Sequence, residues 1–286
     1  MGDWASAAAA LRAGTEVLTL AGQPSPQADA RILLAHAMGL TLAELFTAPS
    51  PDVAQTAAYT TALHQRADGI PLQHITGEAW FRTVRVEVGP GVFLPRPETE
   101  VMTGLAIERV RALQEEGREP LVVELCAGSG AISLAVAVEA PGCRQVAVEL
   151  SGEAYAYAAR NLAGTGVDLI QGDMADALPG LTGQVDVVIC NPPYVPLDAY
   201  LGVTEEVRKH EPPLALFSGA DGLDALRVLS VTGARLLRPG GWLCAEHAEV
   251  QAESAPAVFV DQGSWAAVRD HEDLTGRPRF LTATRR

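Results

Sequence analysis

The sequence lacks the surplus of basic side chains that a protein gripping nucleic acid needs. Its 286 residues include 21 Lys and Arg against 35 Asp and Glu, which gives a formal net charge of −14 at pH 7. Because contacts to phosphate require clustered Lys and Arg, this balance argues against a nucleic-acid-binding protein. Residues 1–85 carry a net charge of −2, which leaves −12 on the remainder. The charge does not exclude a basic protein as a partner.

Long apolar runs and closely paired cysteines are also missing. No uninterrupted apolar stretch reaches the roughly 20 residues that a membrane helix needs, and the N-terminus has no basic region followed by an apolar signal core. Cys126, Cys143, Cys190 and Cys244 have no close spacing and no nearby histidine pattern. We therefore expect a cytoplasmic protein with no membrane segment and no bound metal.

The first 75 or so residues predict a small helical bundle. One helix is predicted to open at Ser25-Pro26, an N-cap followed by proline at the first helical position, and to end at Gly39. Thr41 and Glu44 have the spacing of a capping box for a short helix. A further helix is predicted to open at Ser50-Pro51 and to end at Gly69.

A strand-like period begins after Trp80. Apolar and charged side chains alternate over Val84–Val88, a turn is expected at Gly89-Pro90-Gly91, and a return strand is expected at Val92–Leu94. The pattern predicts a β-hairpin that joins two domains.

Strands and helices alternate in the rest of the chain. Near-continuous apolar strands separated by helices such as Glu153–Leu162 predict a parallel sheet covered on both faces. Asp221–Leu237 is predicted to be another helix. The predicted strands are Leu121–Leu125, Gln145–Leu150, Val167–Gln171, Val185–Cys190 and Trp242–Glu246, followed by Trp265–Asp270 and Arg279–Thr284, which could pair as a hairpin.

A glycine-containing turn, Glu124 to Gly130, joins the first of these strands to a helix. Such a turn lets a ligand approach the backbone at the carboxyl edge of an open sheet. Glu149 ends the next strand, where its carboxylate could accept hydrogen bonds from both hydroxyls of a ribose. Ser133 stands where a dinucleotide-binding fingerprint has its third glycine, so the turn is not that fingerprint. Asp173, beyond the third strand, could accept from an adenine amino group or cap a helix.

A second unusual turn, Asn191-Pro192-Pro193-Tyr194, follows the strand Val185–Cys190. Its two prolines fix two φ angles and remove two backbone donors. The Asn191 side-chain oxygen and the Pro192 carbonyl could then hold a planar NH₂ group, with the Tyr194 ring on its face. Two acceptors that favour a pyramidal nitrogen would bring its lone pair towards an electrophilic methyl group. A proline turn that merely closes a strand explains these residues equally well.

Taken together, these residues resemble the class I S-adenosylmethionine-dependent methyltransferases, and specifically the release-factor glutamine N5-methyltransferase (PrmC/HemK) family. The similarity covers nearly the whole chain. Besides the two turns, it rests on segments that occur in the family's order: Pro71–Glu78, Leu94–Glu100, His210–Leu216, Asp221–Leu223 and Gly276–Phe280.

The resemblance implies an α/β fold in three parts. These are a helical substrate-recognition domain (1–77), a β-hairpin linker (78–97) and a Rossmann-like methyltransferase domain with a seven-stranded, mostly parallel sheet (98–286). It also implies that S-adenosylmethionine is the cofactor and that the substrate is the glutamine of the Gly-Gly-Gln motif in class 1 peptide chain release factors. We expect a monomer that makes no direct contact with nucleic acid.

The resemblance also assigns roles by position. Asn191 to Tyr194 are implied to be catalytic and, with Arg96 and Glu98, to bind the substrate. The family usually has Asp at positions 124 and 149, Gly at 126 and often an aromatic residue at 174. Glu149 is one methylene longer than Asp and can still bridge a ribose diol, so there we expect an altered cofactor affinity rather than its loss. The residues implied to bind the cofactor are Glu124, Cys126, Ala127, Gly128, Ser129, Gly130, Glu149, Asp173, Met174 and Asn191.

Other functions share parts of this pattern. Glutamine methyltransferases of ribosomal proteins and adenine-N6 methyltransferases of nucleic acids also contain Asn-Pro-Pro-Tyr, although the charge of −12 on the catalytic part disfavours a nucleic-acid substrate. A non-catalytic binding module that retains the fold is an alternative of a different class, and the intact turn argues against it.

Overall fold

The computed structural model describes residues 4–202 and 204–286. The chain forms two compact units, of which the first ends at Glu78 and the second runs from Ala79 to Arg286. Residues 1–3, with which the predicted helical domain begins, lie outside the described residues.

The first unit is helical, as predicted. It contains α1 (Ala7–Leu20), α2 (Pro26–Met38), a 3₁₀ turn at Glu44–Thr47, α3 (Val53–Ala67) and α4 (Leu72–Thr76). The apolar faces of these helices meet in one core that includes Leu18, Leu33, Leu34, Tyr59 and Leu63. A buried ion pair adds to this core, with Arg66 Nε 2.8 Å from Asp29 Oδ2.

Local capping explains where these helices begin and end. Pro26 opens α2, and Gly39 ends it in the left-handed conformation, as predicted. Thr41 and Glu44 exchange the hydrogen bonds of a capping box. The predicted start at Ser50-Pro51 is wrong, because Asp52 caps α3 by accepting from the Gln55 amide at 2.8 Å. The helix therefore begins at Val53, directly after its N-cap residue Asp52.

A β-hairpin is present in this region, but its turn is not at Gly89-Pro90-Gly91 and its strands differ from the prediction. It pairs β1 (Glu78–Phe81) with β2 (Val84–Glu87). Residues 82 and 83 form the connection, where Arg82 has a positive φ of 52° and its guanidinium binds Glu139. Val92–Leu94 is not a strand, and Val92 and Leu94 are buried in the core of the second unit instead. Apolar character alone could not distinguish strand pairing from core packing at these positions.

The second unit is built around a seven-stranded sheet in the order β5-β4-β3-β6-β7-β9-β8. The neighbours from β5 to β7 are parallel, and β9 is antiparallel to both β7 and β8, so the prediction of a mostly parallel, Rossmann-like sheet is confirmed. In chain order, its elements are α5 (Pro97–Glu115), β3 (Leu121–Leu125), α6 (Ala131–Glu139), β4 (Arg144–Glu149), α7 (Gly152–Asn161), β5 (Asp168–Gln171), β6 (Val185–Cys190), α8 (Glu205–His210), α9 (Asp224–Leu236), β7 (Leu237–Glu246), α10 (Ser254–Gln262), β8 (Trp265–Glu272) and β9 (Pro278–Arg285).

Apolar side chains cover both faces of this sheet. Every residue of β3 and β6 is buried, as expected for central strands between two layers. One core contains side chains of α5, α6 and the hairpin, and the other contains side chains of α9, α10 and Trp265. Burial on both faces fixes the position of the strand ends on which the site depends.

The register of the central strands aligns their carboxyl ends. Leu125 lies opposite both Val148 and Cys190, and Cys190 lies opposite Ala245. The next residue along each strand is therefore at the same edge of the sheet: Cys126, Glu149, Asn191 and Glu246. The chain continues from β3 to β4 on one side, whereas β6 flanks β3 on the other. Ligands bind at such a reversal of strand order in open α/β sheets.

Candidate active site

A cavity of about 500 Å³ opens at this edge of the sheet. Both of the turns that the sequence singled out line it. Glu98, Gly130 and Pro192 are predicted site residues that are not part of its lining. The predicted residues that the cavity does bring together are Arg96, Glu124, Cys126, Ala127, Gly128, Ser129, Glu149, Asp173, Met174, Asn191, Pro193 and Tyr194.

The glycine turn leaves space beside its backbone. Gly128 has a φ of +57°, and a Cβ atom added there would meet no heavy atom within 4 Å. Gly130 also has a positive φ and forms the N-cap of α6. A Cβ at Gly130 would meet Leu162 at 3.1 Å. Gly128 therefore lets a ligand approach the chain, whereas Gly130 lets the helix pack closely against its neighbour.

Glu149 holds this turn through its carboxylate. Oε2 accepts from the Gly128 amide and Oε1 accepts from the Ser151 amide, each at 2.7 Å. Burial raises the pKa of Glu149 above its usual value. Each carboxylate oxygen has a second lone pair, so the same group retains acceptor capacity for a pair of ligand hydroxyls.

Glu124 lines the cavity, and its two carboxylate oxygens differ in their contacts. Its Oε2 accepts from the Ser133 amide at 2.9 Å and from the Ser133 hydroxyl. Its buried Oε1 has no hydrogen-bond partner among the described residues. Burial raises the pKa of this carboxyl to about 8. Ser133, at the position of the third fingerprint glycine, thus orients Glu124 instead.

Sulfur atoms line the neighbouring part of the cavity. Cys126 has a positive φ of 60°, and its Sγ lies 3.8 Å from Met174 Sδ. A left-handed conformation costs a residue with a side chain about 1–2 kcal/mol, which glycine would avoid. Asp173 also lines the cavity, and its Oδ1 accepts from the Ala175 amide at 2.8 Å. Asp173 therefore makes a local turn contact, and its predicted role towards adenine stays a prediction.

A buried glutamine, Gln251, stabilises the end of the Asn-Pro-Pro-Tyr turn. Gln251 Nε2 donates to the Tyr194 carbonyl at 3.0 Å and to the Asp221 carbonyl at 3.3 Å. Gly222 packs against the same carbonyl, since a Cβ added there would lie 2.3 Å from Tyr194 O. These contacts fix the backbone at the end of the turn.

Two side chains that the sequence analysis did not single out join the two ends of this turn. Asn191 Nδ2 donates to Thr99 Oγ1 at 3.2 Å, and the Thr99 hydroxyl donates to Glu246 Oε2 at 2.6 Å. The Tyr194 hydroxyl donates to Glu246 Oε1 at 3.0 Å. Burial raises the pKa of Glu246 to about 7. The sequence did contain one indication of this role, because Glu246 is an acidic residue at the carboxyl end of a predicted strand.

Arg96 forms another part of the lining. Its guanidinium makes an ion pair with Glu211 and lies 4.9 Å from the centroid of the Phe93 ring. Glu211 is buried, and burial raises its pKa. The segments Leu94–Glu100 and His210–Leu216 therefore meet beside the cavity.

Within residues 4–202 and 204–286, no three His, Cys, Asp or Glu side chains are grouped so that they could hold a metal ion. Among the helices of those residues, none has both the length and the apolar character needed to cross a bilayer.

Comparisons with known proteins place both units in one family. The family profile for the PrmC N-terminal domain matches residues 9–77, and that for the methyltransferase small domain matches residues 86–207. A release factor glutamine methyltransferase of Streptomyces coelicolor is 51% identical over 94% of each chain. One from Mycolicibacterium smegmatis is 42% identical over 96% of each chain.

A third relative is named for a different substrate. It is the 4-amino-L-phenylalanine/4-methylamino-L-phenylalanine methyltransferase of Streptomyces pristinaespiralis. This protein is 42% identical to the chain over 91% of the chain and 89% of its own length. Its NH₂ acceptor is an amine on an aromatic ring rather than a side-chain amide.

Proposed function

The chain belongs to the release factor glutamine methyltransferase family, and from that premise we propose how it acts. It transfers the methyl group of S-adenosylmethionine to the side-chain amide nitrogen, N5, of the glutamine in the Gly-Gly-Gln motif of class 1 release factors. The S–CH₃ bond breaks as the N–CH₃ bond forms, S-adenosylhomocysteine leaves, and one amide proton passes to water. The observation that carries the proposal is that the glycine turn and the Asn-Pro-Pro-Tyr turn line one cavity.

The residues present fit the proposed cofactor. Glu149 offers two carboxylate oxygens for the ribose hydroxyls, and Asp173 and Met174 border the part assigned to adenine. The open backbone at Gly128 and the unpartnered Oε1 of Glu124 suit the methionine part, whose ammonium group can donate to that oxygen once the carboxyl has released its proton. S-adenosylmethionine supplies an electrophilic methyl group on sulfur when it is bound.

The Asn-Pro-Pro-Tyr turn positions the acceptor nitrogen. An amide nitrogen is a poor nucleophile because its lone pair is delocalised into the carbonyl. Asn191 Oδ1 accepts one hydrogen bond from the substrate NH₂ group. The second acceptor in this proposal is the backbone carbonyl of Pro192, which lies between the lining residues Asn191 and Pro193 although Pro192 itself is not in the lining. Together the two acceptors favour a pyramidal nitrogen with its lone pair directed at the methyl group. The Tyr194 ring packs on the face of the amide. This geometry provides positioning and complementarity to the transition state without a covalent intermediate on the protein.

The charge of the chain suits the proposed partner. Residues 86–286 carry −12 of the net charge of −14. A release factor domain that functions next to ribosomal RNA is expected to be basic. Opposite fields accelerate the encounter of two proteins. We therefore expect the association rate with a release factor to fall as salt concentration rises, and a rate insensitive to salt would contradict this step.

Labelled cofactor tests the proposed substrate directly. The enzyme is incubated with a wild-type release factor, with the same factor carrying Gln→Ala in its Gly-Gly-Gln motif, and with 4-amino-L-phenylalanine. We expect label only on the wild-type factor. Equal labelling of both factors, or of neither, would refute the proposal, and preferential methylation of 4-amino-L-phenylalanine would favour the chemistry named for the S. pristinaespiralis relative.

The variant Asn191→Ala tests the acceptor site separately from the cofactor site. We expect it to lose methyl transfer because one of the two acceptors is gone, while calorimetric titration still shows cofactor binding. Normal turnover in this variant would refute the acceptor mechanism. Loss of cofactor binding would assign Asn191 to the cofactor site alone.

A further inference from the structure

A buried carboxylate, that of Glu246, is hydrogen-bonded to the Asn-Pro-Pro-Tyr turn through Tyr194. Glu246 ends β7, is 1% exposed, and accepts hydrogen bonds from Thr99 and Tyr194 at its two oxygens. Glu246 is not part of the cavity lining, whereas Thr99 is. The carboxylate therefore has no contact with the cavity of its own and can act there only through its two partners.

The protons in this network determine which way the Asn191 amide faces. The Thr99 hydroxyl has a single proton, which it donates in the hydrogen bond to Glu246 Oε2 at 2.6 Å. Thr99 Oγ1 can then only accept from Asn191, so it selects the amide nitrogen, at 3.2 Å. The Asn191 oxygen is left as the free end of the amide. A further hydrogen bond, from the Thr103 hydroxyl to the Thr99 carbonyl at 2.9 Å, steadies the first turns of α5.

We propose that Glu246, acting through the Thr99 hydroxyl, is a positioning residue that holds the Asn191 oxygen towards the substrate NH₂ group. This inference rests on the proposed function, because it concerns the acceptor site of that reaction. Protonation of Glu246 removes the constraint. A neutral carboxyl can donate to Thr99, and Thr99 can then donate to an Asn191 oxygen turned towards it, which would present an NH₂ group to an NH₂ group.

The surroundings of Glu246 place this change near neutral pH. Burial raises its pKa to about 7 and the nearby Glu98 adds to that rise, while the bonds from Thr99 and Tyr194 and the charge of Arg279 oppose it. The pKa lies above the usual value of 4.5, so the ionised form dominates only above about pH 7. Activity that needs the carboxylate is therefore expected to fall as the pH drops through that value.

Two substitutions at Thr99 separate the hydroxyl from the shape of the side chain. Thr99→Val keeps the shape and removes the hydroxyl, whereas Thr99→Ser keeps the hydroxyl. We expect Thr99→Val to lower kcat about 100-fold, the scale of a misplaced reacting group, with cofactor affinity unchanged. Thr99→Ser is expected to restore most of the wild-type kcat. A wild-type kcat in Thr99→Val, or an equal loss in both variants, would overturn the inference.

The pH profile tests Glu246 itself. For the wild type, we expect kcat on a release factor to fall below about pH 7, and Glu246→Gln is expected to show a low kcat without this acidic limb. An acidic limb that persists in Glu246→Gln, or is absent from the wild type, would overturn the role. If Glu246→Gln does not fold, the wild-type profile and the Thr99 pair decide the question.

The outcomes also separate this inference from the proposed function. A wild-type enzyme that fails to label any release factor would overturn both. A wild-type enzyme that labels the release factor while Thr99→Val does so equally well would overturn the inference alone.

Discussion

Replacing Glu124 with glutamine should change how the stability of the protein depends on pH. The native carboxyl has a pKa of about 8, raised from 4.5 by burial, and its Oε1 has no hydrogen-bond partner among the described residues. Between these two values the native state keeps the proton while the unfolded chain has released it. The unfolded state then binds fewer protons, so the free energy of unfolding must fall as the pH rises.

The size of this effect follows from the linkage relation. A group protonated in the native state and ionised in the unfolded state lowers the free energy of unfolding by about 1.4 kcal/mol per pH unit. From 4.5 to neutral pH, Glu124 alone therefore accounts for about 3 kcal/mol. Glutamine can still accept from the Ser133 amide and hydroxyl through one oxygen, and its NH₂ group takes the place of the unpartnered oxygen.

Urea unfolding at several pH values between about 5 and 8 measures this slope. Trp265 is buried in the second unit, so its emission together with far-UV circular dichroism can follow the transition. The other carboxyls with raised pKa values titrate in both proteins and cancel in the comparison. We expect the free energy of unfolding of Glu124→Gln to fall with pH less steeply than that of the wild type, by about 1.4 kcal/mol per pH unit. Glu119→Gln, at an exposed position, should have the wild-type slope. Parallel slopes for wild type and Glu124→Gln would refute the reasoning.

Two further predictions concern packing and the buried ion pair. Gly222→Ala should cost more than about 2 kcal/mol and lower kcat, because a Cβ there would lie 2.3 Å from Tyr194 O at a φ of +76°. Gly240→Ala, at a φ of +77° but with nothing within 4 Å of an added Cβ, is the matched control, and equal unfolding free energies for the two variants would contradict the packing argument. Asp29→Ala should destabilise the helical unit by about 3 kcal/mol, measured by urea unfolding, because it leaves the buried Arg66 without this carboxylate. A loss below about 1 kcal/mol would show that the pair behaves like a surface salt bridge.

Periodicity identified the elements of the sheet because each central strand is buried on both faces. Val185–Cys190 and Leu121–Leu125 were predicted with the bounds that the structure shows. The antiparallel pairing of β8 with β9 is also confirmed. The hairpin prediction was wrong in its turn and in its return strand. Val84–Glu87 pairs with the preceding Glu78–Phe81, because the positive φ at Arg82 forms a turn without a glycine.

The site was predictable where its residues follow one another in the chain. The two turns are local segments, and each lies at the cavity as its strand implied. Thr99 and Glu246 are 147 residues apart, and only the strand register and the start of α5 bring them together. The orientation of the Asn191 amide depends on that contact, so residue patterns along the chain could not supply it.

The contacts of Gln251 with the Asn-Pro-Pro-Tyr turn have a consequence for recognition. Because a buried amide and two prolines already hold the backbone there, the turn is preorganised and loses little conformational entropy when a substrate arrives. Affinity then depends on what the incoming loop loses on ordering rather than on rearrangement of the enzyme. A flexible loop with glycines beside its glutamine loses considerable conformational entropy on entering such a rigid cleft. The rigid turn therefore favours selectivity for the correct substrate over high affinity.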